Sequence, residues 1–157
     1  MTAALRAEGV KVLDLGLSGT EEMYHATSHF RADGGIVVTA SHNPIDYNGM
    51  KMVRKGSAPL DGATGLSAIR ALAEADDFGP TKGGGERVNV AAQARAAYVE
   101  TVLSFVDVAA LRPLTVLVNA GNGCLGNRCT VIRFTGDRYE GCRNQQYVQL
   151  FFHFFSR

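Results

Sequence analysis

Gly34-Gly-Ile-Val-Val-Thr-Ala-Ser-His-Asn-Pro44, with the Ile45-Asp-Tyr-Asn-Gly-Met-Lys51 that follows it, decides how this chain is read. Ile36, Val37 and Val38 form a short β-branched run with glycines on one side and turn residues on the other, the pattern of a buried strand. Pro44 has no amide proton and disfavours the helical region for Asn43, so the strand does not simply continue into a helix. Ser41 is thereby displayed on a loop at a strand's end, where open α/β sheets place ligands. The same residues also suit a plain strand-to-loop turn in which Ser41, His42 and Asn43 satisfy backbone groups. Taken alone, the stretch leaves both readings open.

Outward from this stretch the pattern alternates between strands and helices. Val10–Leu15 reads as a strand, and Ser18-x-x-Glu21 has the form of a capping box before a helix with Met23, Ala26, Thr27 and Phe30 at helical spacing. His25 and His29 lie four apart on that helix. Without a third ligand nearby they are expected on a solvent-facing flank rather than around a metal. A second strand is expected near Gly49–Arg54, then a helix near Thr64–Ala75 with Leu66, Ile69, Leu72 and Ala73 on one face. Gly79-Pro-Thr-Lys-Gly-Gly-Gly85 is rich in breakers and reads as a linker. Beyond it Ala94, Tyr98, Val102 and Phe105 make a helical stripe, and Leu114–Val118 begins a further strand. Such alternation predicts an α/β fold with a mixed, partly parallel sheet.

Composition changes near Cys124. The first 123 residues hold 20 alanines and no cysteine, whereas residues 124–157 hold no alanine and all three cysteines. At the earlier alanine frequency, a stretch of that length without one arises by chance less than about one time in a hundred, which places a compositional boundary there. Cys124, Cys129, Cys142 and His153 lack the tight Cys-x-x-Cys spacing of structural zinc sites, so no zinc is expected. Phe151-Phe-His-Phe-Phe155 is far too short for a membrane span and reads as an association hazard. A net charge of +1 gives no basic footprint for nucleic acid, no stretch has the form of a transmembrane helix, and the absence of an N-terminal targeting pattern predicts a cytoplasmic protein.

The serine stretch resembles the active-site serine loop of the α-D-phosphohexomutase superfamily, in its bacterial phosphomannomutase/phosphoglucomutase branch. Gly16-Leu-Ser-Gly-Thr-Glu-Glu22 upstream and Asn119-Ala-Gly-Asn-Gly123 downstream resemble pieces of the same family in the same order. The resemblance implies the C-terminal part of mutase domain I over residues 1–78, a linker at 79–88, the start of domain II at 89–123, and a divergent tail at 124–157 that a shifted reading frame would explain. It implies that Ser41 carries a transferable phosphate, that His42 and Lys51 belong to the catalytic centre, and that Asn43 donates to phosphate oxygens. The implied parent activity interconverts mannose (or glucose) 6-phosphate and 1-phosphate through a phosphoserine enzyme and a hexose bisphosphate. It also implies Mg²⁺, bound by the phosphate on Ser41 and by three aspartates of an Asp-Gly-Asp-x-Asp-Arg loop. That loop is absent from these 157 residues, as are the family's sugar-recognition loop and C-terminal phosphate loop. The alternative expectation is therefore a catalytically inactive remnant or interaction fragment.

Overall fold

A computed structural model describes residues 1–44, 46–76, 78–111, 114–119, 129–135 and 138–140. The chain divides into two compact units, residues 1–102 and 103–157. In the first, α1 (Thr2–Ala7) leads to β1 (Val12–Asp14), α2 (Thr20–His29), β2 (Gly34–Val38), β3 (Met50–Arg54), β4 (Ala58–Pro59), α3 (Ser67–Ala75), β5 (Arg87–Asn89) and α4 (Ala91–Leu103). The second holds β6 (Leu114–Asn119), β7 (Cys129–Thr135) and β8 (Arg138–Glu140). The architecture is α/β with both parallel and antiparallel pairing: β1 runs parallel to β5, while β2-β3-β4 and β6-β7-β8 are antiparallel.

The core of the first unit gathers around α2. Met23, Ala26 and Thr27 are buried on its inner face, and Val53 of β3 and Ala94 of α4 complete the buried set among the described residues. Gly35 explains the close approach of strand and helix. A Cβ there would lie 2.5 Å from Met23 Sδ, 3.2 Å from Val53 Cγ2 and against Thr27 Oγ1, so only a residue without a side chain lets α2 settle on β2 at that point. Burying Met23 contributes about 1.5–3 kcal/mol of transfer free energy. The Thr27 hydroxyl is satisfied within the helix by donating to the Met23 carbonyl at 2.8 Å.

The helix start lies one residue later than Ser18-x-x-Glu21 predicts. Gly19 is the N-cap, and its N–H donates to Glu22 Oε2 at 2.6 Å. Glycine offers no side chain in return, so only half of a capping box forms. Glu22 is drawn into this register because its other oxygen meets Arg95 Nε of α4 at 3.3 Å, while Arg95 Nη2 donates to the Leu17 carbonyl at 2.9 Å. The α2–α4 seam also corrects the expectation for the histidine pair. His29 is exposed, but His25 is half-buried: its Nε2 lies 2.9 Å from Thr101 Oγ1 and its ring meets Tyr98 edge-on at 5.6 Å. The two imidazoles stack at 5.5 Å, and among the described residues no cluster of three His, Cys, Asp or Glu could hold a metal ion.

Two further expectations shift. The helix predicted over Thr64–Ala75 begins at Ser67, behind a wider turn at Gly62–Leu66 that Gly65 permits with φ of +142°. Asp61 and Thr64 cap that turn reciprocally, Asp61 Oδ1 accepting from the Thr64 N–H at 2.8 Å and Thr64 Oγ1 from the Asp61 N–H at 2.9 Å. The face bearing Leu66, Ile69 and Leu72 is exposed. On α4, Ala94 is buried and Tyr98 half-buried, but Val102 is exposed and Phe105 lies beyond the helix end. Within the glycine-rich stretch read as a linker, the Gly83 and Gly85 N–H groups donate to the carbonyls of Ala7 and Arg6, and Arg87 enters β5 beside β1.

In the second unit, Cys129–Thr135 forms strand β7. β7 pairs with β6 from Leu114↔Phe134 to Asn119↔Cys129. Residues 120–128, with most of Asn119–Gly123 and with Cys124, lie outside the described residues, as do Cys142, His153 and Phe151–Phe155.

Candidate active site

The site is a loop held by the end of a two-strand ladder. Strands β2 and β3 pair from Gly34↔Arg54 to Val38↔Met50, and the Thr39 N–H extends the ladder by donating to the Gly49 carbonyl at 2.9 Å. Residues 40–48 therefore leave and return at a fixed place. A tight turn follows at once, closed by the Asn43 N–H on the Ala40 carbonyl at 3.0 Å, with Ser41 in the left-handed region at φ of +53°. Non-glycine residues adopt that region rarely, and where they do the surrounding structure must hold them there. Here the Ser41 N–H donates to Thr39 Oγ1 at 2.9 Å. The loop's second half is fixed by the Tyr47 N–H on the Pro44 carbonyl at 3.0 Å and by the Gly49 N–H on Asn48 Oδ1 at 2.9 Å.

This geometry presents Ser41 to solvent with a basic partner at hand. Ser41 Oγ lies 3.0 Å from His42 Nδ1, and both residues are exposed. In the tautomer with its proton on Nε2, His42 accepts the serine proton; with the proton on Nδ1, it donates to the serine oxygen. Asn43 closes the turn through its backbone and is exposed. Lys51 lies on β3 opposite Val37 and is exposed, and among the described residues no hydrogen bond joins it to Ser41. The structure thus brings Ser41, His42 and Asn43 into one turn and sets Lys51 on the adjoining strand.

Comparison with known proteins gives the family. The family model for phosphoglucomutase/phosphomannomutase, alpha/beta/alpha domain I, matches residues 1–80. The chain belongs to the phosphohexomutase superfamily. A phosphomannomutase of Escherichia coli strain K12 is 48% identical over 130 residues, covering 80% of this chain and 28% of that protein. A phosphomannomutase of Salmonella montevideo is 49% identical over 126 residues, and a Xanthomonas campestris protein named for phosphohexose mutases is 49% identical over 129, with the same two coverages. The chain therefore spans somewhat more than a quarter of the length of those relatives.

Magnesium does not fit the residues present. Mg²⁺ takes six oxygen ligands in near-octahedral geometry and is usually held through one or two carboxylates. Asp46 is the sole carboxylate of the serine loop, and no cluster of three candidate ligands occurs among the described residues. The residue that sequence reasoning missed is Thr39, read only as a strand's end. Its hydroxyl makes the bond that accompanies the unusual φ of Ser41, and a Thr-x-Ser sequence at a strand end is the available signal, since Thr hydroxyls bond backbone groups two residues on.

Proposed function

We propose that this chain carries the phosphoserine segment of a phosphohexomutase that interconverts hexose 6-phosphate and hexose 1-phosphate, with mannose as the preferred sugar and glucose as the alternative. The observation that supports it most is the Ser41 turn: a solvent-facing hydroxyl in left-handed backbone, 3.0 Å from an imidazole nitrogen, in a chain nearly half identical to proteins named phosphomannomutase. In this reading a sugar hydroxyl attacks the phosphorus carried on Ser41. The bond from phosphorus to Ser41 Oγ breaks as the new bond to the sugar oxygen forms, and the sugar's proton ends on Ser41 Oγ. His42 Nδ1 is placed to pass that proton. The hexose bisphosphate so formed returns its other phosphoryl group to Ser41. Lys51 and Asn43 balance and orient phosphate oxygens. In this reading the reaction belongs to the cytoplasm. Among the described residues no helix is long and apolar enough to cross a membrane. The Mg²⁺ expected of the family would draw its carboxylate ligands from outside these 157 residues.

A second reading, an inactive remnant or interaction fragment, is favoured for the isolated chain by the apolar face of α3, which is exposed among the described residues. One experiment addresses both. Residues 1–123 are exchanged for the aligned stretch of Escherichia coli phosphomannomutase, and the hybrid is assayed with mannose 1-phosphate, Mg²⁺ and a hexose bisphosphate primer beside the isolated chain. The hybrid should turn over and form a phosphoprotein, Ser41→Ala should abolish both by several orders of magnitude, and the isolated chain should be inactive. An active, phosphate-incorporating Ser41→Ala hybrid would overturn the assignment.

A further inference from the structure

We propose that Thr39 is the positioning residue that holds Ser41 in its reactive conformation, a role that rests on the phosphoserine reading above. Two observations point to it. Ser41 has φ of +53°, a conformation its Cβ disfavours, so something nearby must select it. The Ser41 backbone N–H donates to the Thr39 hydroxyl, at 2.9 Å.

Thr39 is well placed to hold that conformation. Its own N–H is tied to the Gly49 carbonyl at 2.9 Å, which makes it the last rung of the β2–β3 ladder. Its side chain is β-branched and stiff at χ1, so the hydroxyl position is set by the sheet and not by the loop. The residue is half-buried, whereas Ser41 to Pro44 are exposed. The bond from the Ser41 N–H to Thr39 Oγ1 therefore transmits the fixed frame of the ladder into an exposed turn. From the other side, the Asn43 N–H on the Ala40 carbonyl closes the same turn. Between these two bonds the Ser41 Cα–Cβ direction is fixed, and Oγ lies beside His42 Nδ1. Phosphoryl transfer depends on in-line placement of the reacting oxygen, and a misplacement of about 1 Å can cost about a hundredfold in rate.

Thr39→Val keeps the shape and the branching while deleting the acceptor; Thr39→Ser keeps the acceptor. In the full 157-residue chain, nuclear magnetic resonance should show the Ser41 amide exchanging about tenfold faster in Thr39→Val, with a changed φ-dependent coupling. The Gly35 and Val37 amides, which face β3 in the ladder, should keep their protection, and Thr39→Ser should behave as the parent chain. Unchanged Ser41 exchange and coupling in Thr39→Val, or equal losses in Thr39→Ser, would overturn the proposal. So would loss of protection at Gly35 and Val37, which would make Thr39 a general structural residue. In the hybrid enzyme, Thr39→Val should lower kcat by about tenfold to a hundredfold with KM within about twofold, and Thr39→Ser should restore it. An unchanged kcat would reject the catalytic consequence of the positioning. Full activity in Ser41→Ala would instead reject the phosphoserine reading, a result separate from the resonance measurement.

Discussion

Helices α2 and α3 read alike in the sequence, each with apolar side chains at every third or fourth position, yet they end in opposite surroundings. Met23, Ala26 and Thr27 of α2 are at most 5% exposed, while Leu66, Ile69 and Leu72 at and within α3 are 41–57% exposed. Periodicity specifies which residues share a helix face; burial also needs a surface shaped to receive that face. For α2 the surface is supplied by β2, where Gly35 admits the helix, and by α4, tied on through Arg95 and the His25–Thr101 bond. For α3, the described residues supply no such cover to Leu66, Ile69 and Leu72.

The contrast is most directly broken by paired truncations. Met23→Ala should destabilise the chain by about 2–5 kcal/mol, the range for emptying a packed site, as read from the denaturant midpoint. Leu72→Ala should change it by no more than about 0.5 kcal/mol, as for an exposed position. Equal losses at the two sites would erase the distinction between the helices. The role of Gly35 sharpens the same point. Gly35→Ala should cost about 1–3 kcal/mol, because the new methyl meets Met23 and Thr27, and the native baseline should persist if α2 merely lifts from β2. An alanine variant as stable as the parent would mean that β2 does not need a bare backbone there.

The smallest expected effect lies on the other flank of α2. Desolvation by burial, followed by the charge of His29, holds the His25 pKa below its ordinary value of 6.5. Among the described residues its Nδ1 is buried without a hydrogen-bond partner, and Tyr98 and Thr101 of α4 offer the ring no carboxylate. A base with a depressed folded-state pKa binds fewer protons folded than unfolded. Its contribution is therefore fully present above about pH 6.5 and is lost as the pH falls through the lower folded value. Stability should decline modestly between pH 7 and pH 5, and His25→Gln should flatten that slope. An unchanged slope in the variant would remove His25 as its source.

These contrasts show which parts of the molecule were legible beforehand. The β2 strand announces itself through Ile36, Val37 and Val38, and the turn after it through Pro44 and its polar neighbours, because those residue types restrict their own backbones. Ser41, His42 and Asn43 were legible as a group because a single turn brings them together. Two features were hidden for different reasons. The left-handed backbone of Ser41 is not a preference of serine but is imposed by a hydroxyl two residues earlier, so it becomes visible only with the hydrogen bond. The parallel β1–β5 pair joins short segments from far apart in the chain. Arg87-Val-Asn89 follows a glycine-rich stretch and carries too few residues for any periodicity to be counted.

That same pair sets an order on the way the first unit assembles. The β2–β3 ladder closes over the eleven-residue stretch 39–49 and can form as soon as Arg54 is available, with α2 ready to dock on it. Val12 must wait for Arg87 and Asp14 for Asn89, so β1 has no sheet partner until most of the unit has been synthesised. Closing the longer loop costs more chain entropy and depends on contacts that form only at the end. The Ser41 turn thus belongs to the early, local part of the fold, while the β1–β5 edge is the last seam to close and the first expected to open.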